Sequence, residues 1–104
     1  MPVHSINSLE QFQSTLKTNQ WVIVDFYADW CGPCKRFAPT FETLSSELSN
    51  IHFCKVNSDN LDNVCSQFNI SALPTFVLIH NGKEVGRESG ANETNVRRLL
   101  NRAH

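Results

Sequence analysis

The sequence predicts an α/β fold in which a single mixed central β-sheet of about five strands is flanked by four α-helices. Three observations point there. Residues 21–27, Trp-Val-Ile-Val-Asp-Phe-Tyr, form a nearly continuous apolar run rich in β-branched and aromatic side chains, the pattern of a strand covered on both faces. A helical apolar pattern and a second β-forming run, 51–57, come next, giving a strand–helix–strand unit whose strands should be parallel and the crossover right-handed. Asn81-Gly82 then separates two further β-forming segments, and an Asn-Gly pair specifies a tight antiparallel hairpin.

Taken in order, Val3–Ile6 predicts a short edge strand. Ser8, with Gln11 three residues on, has capping-box spacing, and Leu9, Phe12 and Leu16 form the apolar stripe of a helix closed by Asn19-Gln20. After the strand at 21–27, Phe37, Phe41, Leu44 and Leu48 recur at helical spacing, so a helix should begin between Cys31 and Cys34. Pro39 falls inside it, where a missing donor predicts a kink, and Asn50 ends it. Following the strand at 51–57, Asp59 or Asn60 can cap a short helix carrying Leu61, Val64, Cys65 and Phe68. Thr75–Ile79 and Lys83–Ser89 are the hairpin strands. Beyond Gly90, Asn92 can cap a final helix with Val96, Leu99, Leu100 and Ala103 inward and Arg97, Arg98 and Arg102 outward. Phe12, Phe37, Phe41, Phe53, Phe68 and Phe76 are expected in the core.

A chain of 104 residues is sized for one domain, 1–104, and its 40% hydrophobic and 18% charged content suggests neither disorder nor a fibrous repeat. With a net charge of −1 and no basic run longer than Arg97-Arg98, a nucleic-acid surface is not expected. No apolar segment approaches the roughly 20 residues that span a bilayer, and Met1–Ile6 lacks the blocks of a signal peptide. The expected location is therefore the cytoplasm, without membrane association. In a reducing compartment a C-x-x-C is more often catalytic or metal-binding than a structural staple.

Such a pair occurs at Cys31 and Cys34, where the strand at 21–27 gives way to the helix. A helix N-terminus offers unpaired N–H groups and partial positive charge, which favour a thiolate on the first cysteine. Cys31 is thus the candidate nucleophile. Cys34, a turn further in and expected to be less exposed, is placed to attack a mixed disulfide on Cys31. Gly32 and Pro33 close the small ring, proline being tolerated in a first helical turn. Asp25 is the one acid inside an apolar strand, and burial without partners demands that it be paired, neutralised or used.

Trp30-Cys31-Gly32-Pro33-Cys34-Lys35, preceded by Val24-Asp25-Phe26, resembles the active-site signature of the thioredoxin family. The resemblance continues through Pro39, Lys55-Val56-Asn57, Leu73-Pro74-Thr75-Phe76, Asn81-Gly82-Lys83 and Gly90-Ala91, covering nearly the whole chain in order. It implies a thioredoxin fold and a thiol–disulfide oxidoreductase reducing protein disulfides. In that reading Cys31 is the nucleophile, Cys34 the resolving thiol and Asp25 the proton acceptor or relay for Cys34. Gly32 and Pro33 set the redox poise, and Lys55 modulates the acid. Pro74 corresponds to the family's cis-proline, Leu73 offers backbone hydrogen bonds to substrate, and Trp30, Gly90 and Ala91 complete the docking surface. The implied partners are an NADPH-dependent flavoprotein thioredoxin reductase and disulfide-containing proteins such as peroxiredoxins, ribonucleotide reductase or methionine sulfoxide reductase. The working form is expected to be a monomer with no bound cofactor, its redox group being the Cys31–Cys34 disulfide. The chain carries no glycine-rich nucleotide fingerprint, so electrons must arrive from outside. Tyr27, Asp29 and Ala72 stand where the family varies and bear on partner choice rather than on the thiols.

Other readings weigh less. Cys54 and Cys65 lie ten residues apart internally, not two, which disfavours a four-cysteine zinc site, and His4, His52, His80 and His104 have no ligand spacing to a cysteine pair. Free cysteines behave as small buried hydrophobes, the reading preferred for Cys54 and Cys65, although a mobile Cys65 would be open to oxidation. Lys55 reads equally well as a solvated strand residue with a packed stem. An oxidant or isomerase on the same fold is disfavoured by Gly-Pro between the thiols. A redox-dependent binding or regulatory subunit of a partner enzyme is the alternative from a different class.

Overall fold

The computed structural model describes residues 2–104. Nine elements follow one another: β1 (His4–Ser5), α1 (Leu9–Thr18), β2 (Trp21–Tyr27), α2 (Gly32–Glu47), β3 (His52–Asn57), α3 (Asp62–Phe68), β4 (Thr75–His80), β5 (Lys83–Ser89) and α4 (Glu93–Leu100). The five strands form one sheet in the order β1-β3-β2-β4-β5. β3 pairs in parallel with both β1 and β2, while β4 runs antiparallel to β2 and to β5. The mixed five-stranded sheet with four helices is the architecture the sequence predicts.

Strand alternation decides what each face of β2 meets. Val22, Val24 and Phe26 pack into a core with Phe12 of α1 and Val64 of α3. Ile23 enters a second core with Phe37, Phe41 and Leu44 of α2 and Val96 and Leu99 of α4. Asp25, two residues beyond Ile23, therefore points to the α2 side. Phe41 locks α2 to the sheet there, its ring 5.0 Å from Phe53 and 5.4 Å from Phe76. Full burial of such a side chain contributes about 1.5–3 kcal/mol, so the start of α2 sits on a well-anchored helix.

Local signals explain most boundaries. The Ser8 side chain accepts from the Gln11 N–H at 3.0 Å, and Asn92 accepts from the Asn95 N–H at 2.9 Å. Gln11 returns its amide oxygen to the Asn7 N–H rather than to Ser8, a capping box displaced by one residue. Asn81 and Gly82 have φ of 52° and 83°, the left-handed pair that a type I′ turn requires. α2 continues through Pro39 and ends at Glu47, three residues before Asn50.

Some expectations change. β1 is confined to His4–Ser5, with only the Ile6 N–H adding a bond to Lys55. Neither Asp59 nor Asn60 caps α3; Leu61 holds that position without a side-chain cap, because the Asp59 N–H and Asn60 N–H both fold back onto Asn57. Phe68 is partly rather than fully buried, and α4 stops before Ala103, which still packs against the α2-side core. Val85 bulges out between the pairs Ile79–Glu84 and Leu78–Gly86 of the hairpin.

Candidate active site

Where β2 ends, Ala28 turns the chain and Cys31 becomes the N-cap of α2, with Pro33 in the first turn. Its sulfur accepts a hydrogen bond from the Cys34 N–H at 3.2 Å. The same sulfur is joined to Cys34 in a disulfide. A backbone donor and a helix N-terminus aimed at one sulfur favour negative charge there once the bond is reduced.

Both cysteines are equally shielded, each 5% exposed, so Cys34 is not the less accessible of the two as expected. In the closed ring each sulfur covers the other, and Ala28 and Leu73 pack around both. What separates them is their surroundings. Cys34 borders a cavity of about 190 Å³ whose wall includes Asp25, Tyr27, Lys35 and Lys55. Cys31 caps the helix beside Trp30, which is 71% exposed.

Asp25 is buried, and its Oδ1 has no hydrogen-bond partner among the described residues. Burial raises its pKa from 3.8 to about 7, with the positive charge of Lys55 pulling weakly the other way. β2–β3 register places Lys55 directly beside Asp25, while the Lys55 ammonium rests 5.5 Å from the centre of the Tyr27 ring. The cavity has room for several waters at about 30 Å³ each, enough to link a carboxyl and a thiol. Asp25, its pKa near neutrality, thus shares a cavity with Cys34.

On the outer side, the Leu73–Pro74 peptide is cis, and the Pro74 carbonyl accepts from the Gly90 N–H at 2.8 Å. Gly90 has a φ of 99°, which favours glycine there. That bond ties the 73–74 loop to Gly90-Ala91. The Trp30 indole N–H donates to Asp59 at 3.0 Å, holding the exposed ring in place. Asp59, Tyr27 and Arg36, whose guanidinium lies over Gly32, are residues the sequence did not assign to the site. Asp59 lies 29 residues from Trp30, and no local pattern links them.

The two remaining thiols face other surroundings. Cys54 is buried on the α1–α3 side and its pKa is pushed up by burial and then by Asp25; Cys65 is pushed up by burial and then by Asp62. Neither is activated. A larger hollow of about 580 Å³ bounded by His4, Trp21 and His52 lies at the other end of β2, roughly 20 Å along the strand from Tyr27.

The family model for Thioredoxin matches residues 3–102. The chain belongs to the thioredoxin family. Thioredoxin 1 of Plasmodium falciparum is 40% identical over 98 residues, covering 94% of each protein. A solved structure of Plasmodium falciparum thioredoxin superposes with a TM-score of 0.95 at 38% identity, covering 98% of this chain and 100% of that one. Thioredoxin-2 of Pyricularia oryzae is 38% identical over 104 residues, but this chain spans only 61% of its length. The chain is also 41% identical over 96 residues to a peptide-N(4)-(N-acetyl-beta-glucosaminyl)asparagine amidase of Caenorhabditis elegans, of which the match covers 16%.

Proposed function

We propose that this chain reduces protein disulfides through reversible opening of the Cys31–Cys34 bond. The observation that carries the reading is the contrast between the two sulfurs, one at a helix N-terminus and the other beside a buried acid poised near pH 7. In the reduced protein, the Cys31 thiolate attacks a substrate disulfide, forms a mixed disulfide and expels one substrate thiolate. Asp25, acting through water in the cavity, takes the proton from Cys34. The Cys34 thiolate then attacks the Cys31 sulfur, restoring the internal disulfide and releasing the second substrate thiolate. Two electrons pass to the substrate, and its thiolates take up protons.

Gly32 and Pro33 keep the ring tight and tune its poise, and Lys55 moderates Asp25. Trp30, Leu73, Pro74, Gly90 and Ala91 dock an extended substrate segment, Leu73 through its backbone. Electrons come from NADPH through a separate flavoprotein thioredoxin reductase, with no cofactor bound to this chain. Peroxiredoxins, ribonucleotide reductase and methionine sulfoxide reductase are the substrate classes proposed, and the cytoplasm the location, with the protein acting as a monomer.

The test is insulin reduction, driven first by dithiothreitol and then by NADPH with thioredoxin reductase. Acceleration over dithiothreitol alone is expected in the first case and NADPH consumption in the second. No acceleration would overturn the reductase chemistry. Acceleration without NADPH consumption would remove the proposed electron source while leaving the chemistry standing.

A further inference from the structure

Four of the five arginines are engaged within the protein. Arg87 bonds Glu84 and the Phe68 carbonyl, Arg97 bonds Glu93 and Glu47, Arg98 bonds Asn95, and Arg102 bonds the Val85 carbonyl. The Arg36 side chain makes no hydrogen bond or ion pair among the described residues. It is also the arginine at the redox ring. Its guanidinium lies over Gly32, where a Cβ would stand 3.2 Å from Nη1. With Pro33, Phe37 and Ala91 it lines a hollow of about 300 Å³ that opens beside the docking surface.

Consecutive helical residues diverge by about 100°, and Lys35 and Arg36 illustrate the consequence. Lys35 borders the cavity of Asp25 and Cys34, whereas Arg36 flanks Ala91. Across the ring, the carboxylates Asp29 and Asp59 sit on the Trp30 side, where Asp59 already holds the indole. The docking surface is thus electrically polar, with an unengaged cation at one end and acids at the other.

We infer that Arg36 is a specificity-determining residue that selects substrates carrying an acidic side chain close to the attacked cysteine. This rests on the reductase reading above. A Glu or Asp reaching the hollow would lay its stem on Pro33 and Phe37 and meet the guanidinium, which binds carboxylates bidentately. A Lys there would face a like charge.

Symmetrical disulfide dimers of Gly-X-Cys-X-Gly, with X as Glu, Gln or Lys, provide the test. The pre-reduced protein is mixed with each dimer and its oxidation followed by tryptophan fluorescence. Wild type should reduce the Glu dimer faster than the Lys dimer by at least two- to five-fold, the range of an exposed ion pair. The ratio should shrink in about 0.5 M salt. Arg36→Gln should bring it towards one, Arg36→Lys should restore part of it, and Arg36→Glu should invert it. Because the readout is a ratio, any effect of the lost charge on Cys31 itself divides out. Equal rates on the Glu and Lys dimers in wild type, or an undiminished ratio in Arg36→Gln, would overturn the inference alone. Failure of wild type on all three dimers would overturn the reductase reading and this inference with it.

Discussion

Cys31→Ser is expected to bring disulfide reduction to background, whereas Cys34→Ser should stop the cycle one step later with substrate held on Cys31. The asymmetry comes from the geometry of α2. Cys31 is the N-cap whose sulfur receives the Cys34 N–H, and a hydroxyl in its place has too weak an acidity to supply a nucleophile. Cys34 is within disulfide distance of Cys31 with no backbone rearrangement needed, so its loss removes only the intramolecular attack. Incubating Cys34→Ser with a disulfide substrate and resolving the products by non-reducing mass analysis should give a covalent one-to-one adduct at Cys31. An adduct at Cys65, or turnover surviving in Cys31→Ser, would assign the chemistry elsewhere.

The second large effect is expected at Asp25. Asp25→Ala should slow resolution of the mixed disulfide by roughly 100-fold, at the low end of general-base contributions. In wild type this step should accelerate as pH rises through about 7, where the carboxyl ionises, and the variant should lose that rise. Stability should move the opposite way. Folded protein keeps the Asp25 proton up to about pH 7, while the unfolded chain releases it near 3.8, so the folded state binds more protons in between. Stability therefore falls as pH rises across that window, by an amount on the order of 4 kcal/mol at about 1.36 kcal/mol per pKa unit. Urea titration of the oxidised proteins should find Asp25→Ala more stable than wild type at pH 8, with the gain shrinking towards pH 4. A resolution rate insensitive to the substitution between pH 6 and 8 would leave Asp25 without a part in the chemistry.

The elements whose signals are local were legible in the sequence. The apolar run of β2, the Ser8 and Asn92 caps and the Asn81-Gly82 turn each encode their own conformation, and their boundaries were legible accordingly. Asp25 stood out because an acid interrupts an apolar strand, and alternation along β2 turns it to the α2 side. Long-range placement was not legible. The Trp30–Asp59 bond and the approach of Arg36 to Ala91 depend on how loops from distant elements meet. The failed cap at Asp59 or Asn60 has the same origin, since the Asn57 side chain captured the Asp59 N–H before α3 began. Equal shielding of the two sulfurs reflects the closed ring, a state that the cysteine spacing does not specify.

Position at the helix N-terminus is expected to make Cys31 the nucleophile, and alkylation of the fully reduced protein by iodoacetamide across a pH series, with each modified peptide quantified, checks this. Cys31 should be modified first, with a rate midpoint below the ordinary thiol value of about 8.5, while Cys34, Cys54 and Cys65 lag behind. Preferential modification of Cys34 or Cys65, or a Cys31 midpoint at or above that of an ordinary thiol, would contradict it.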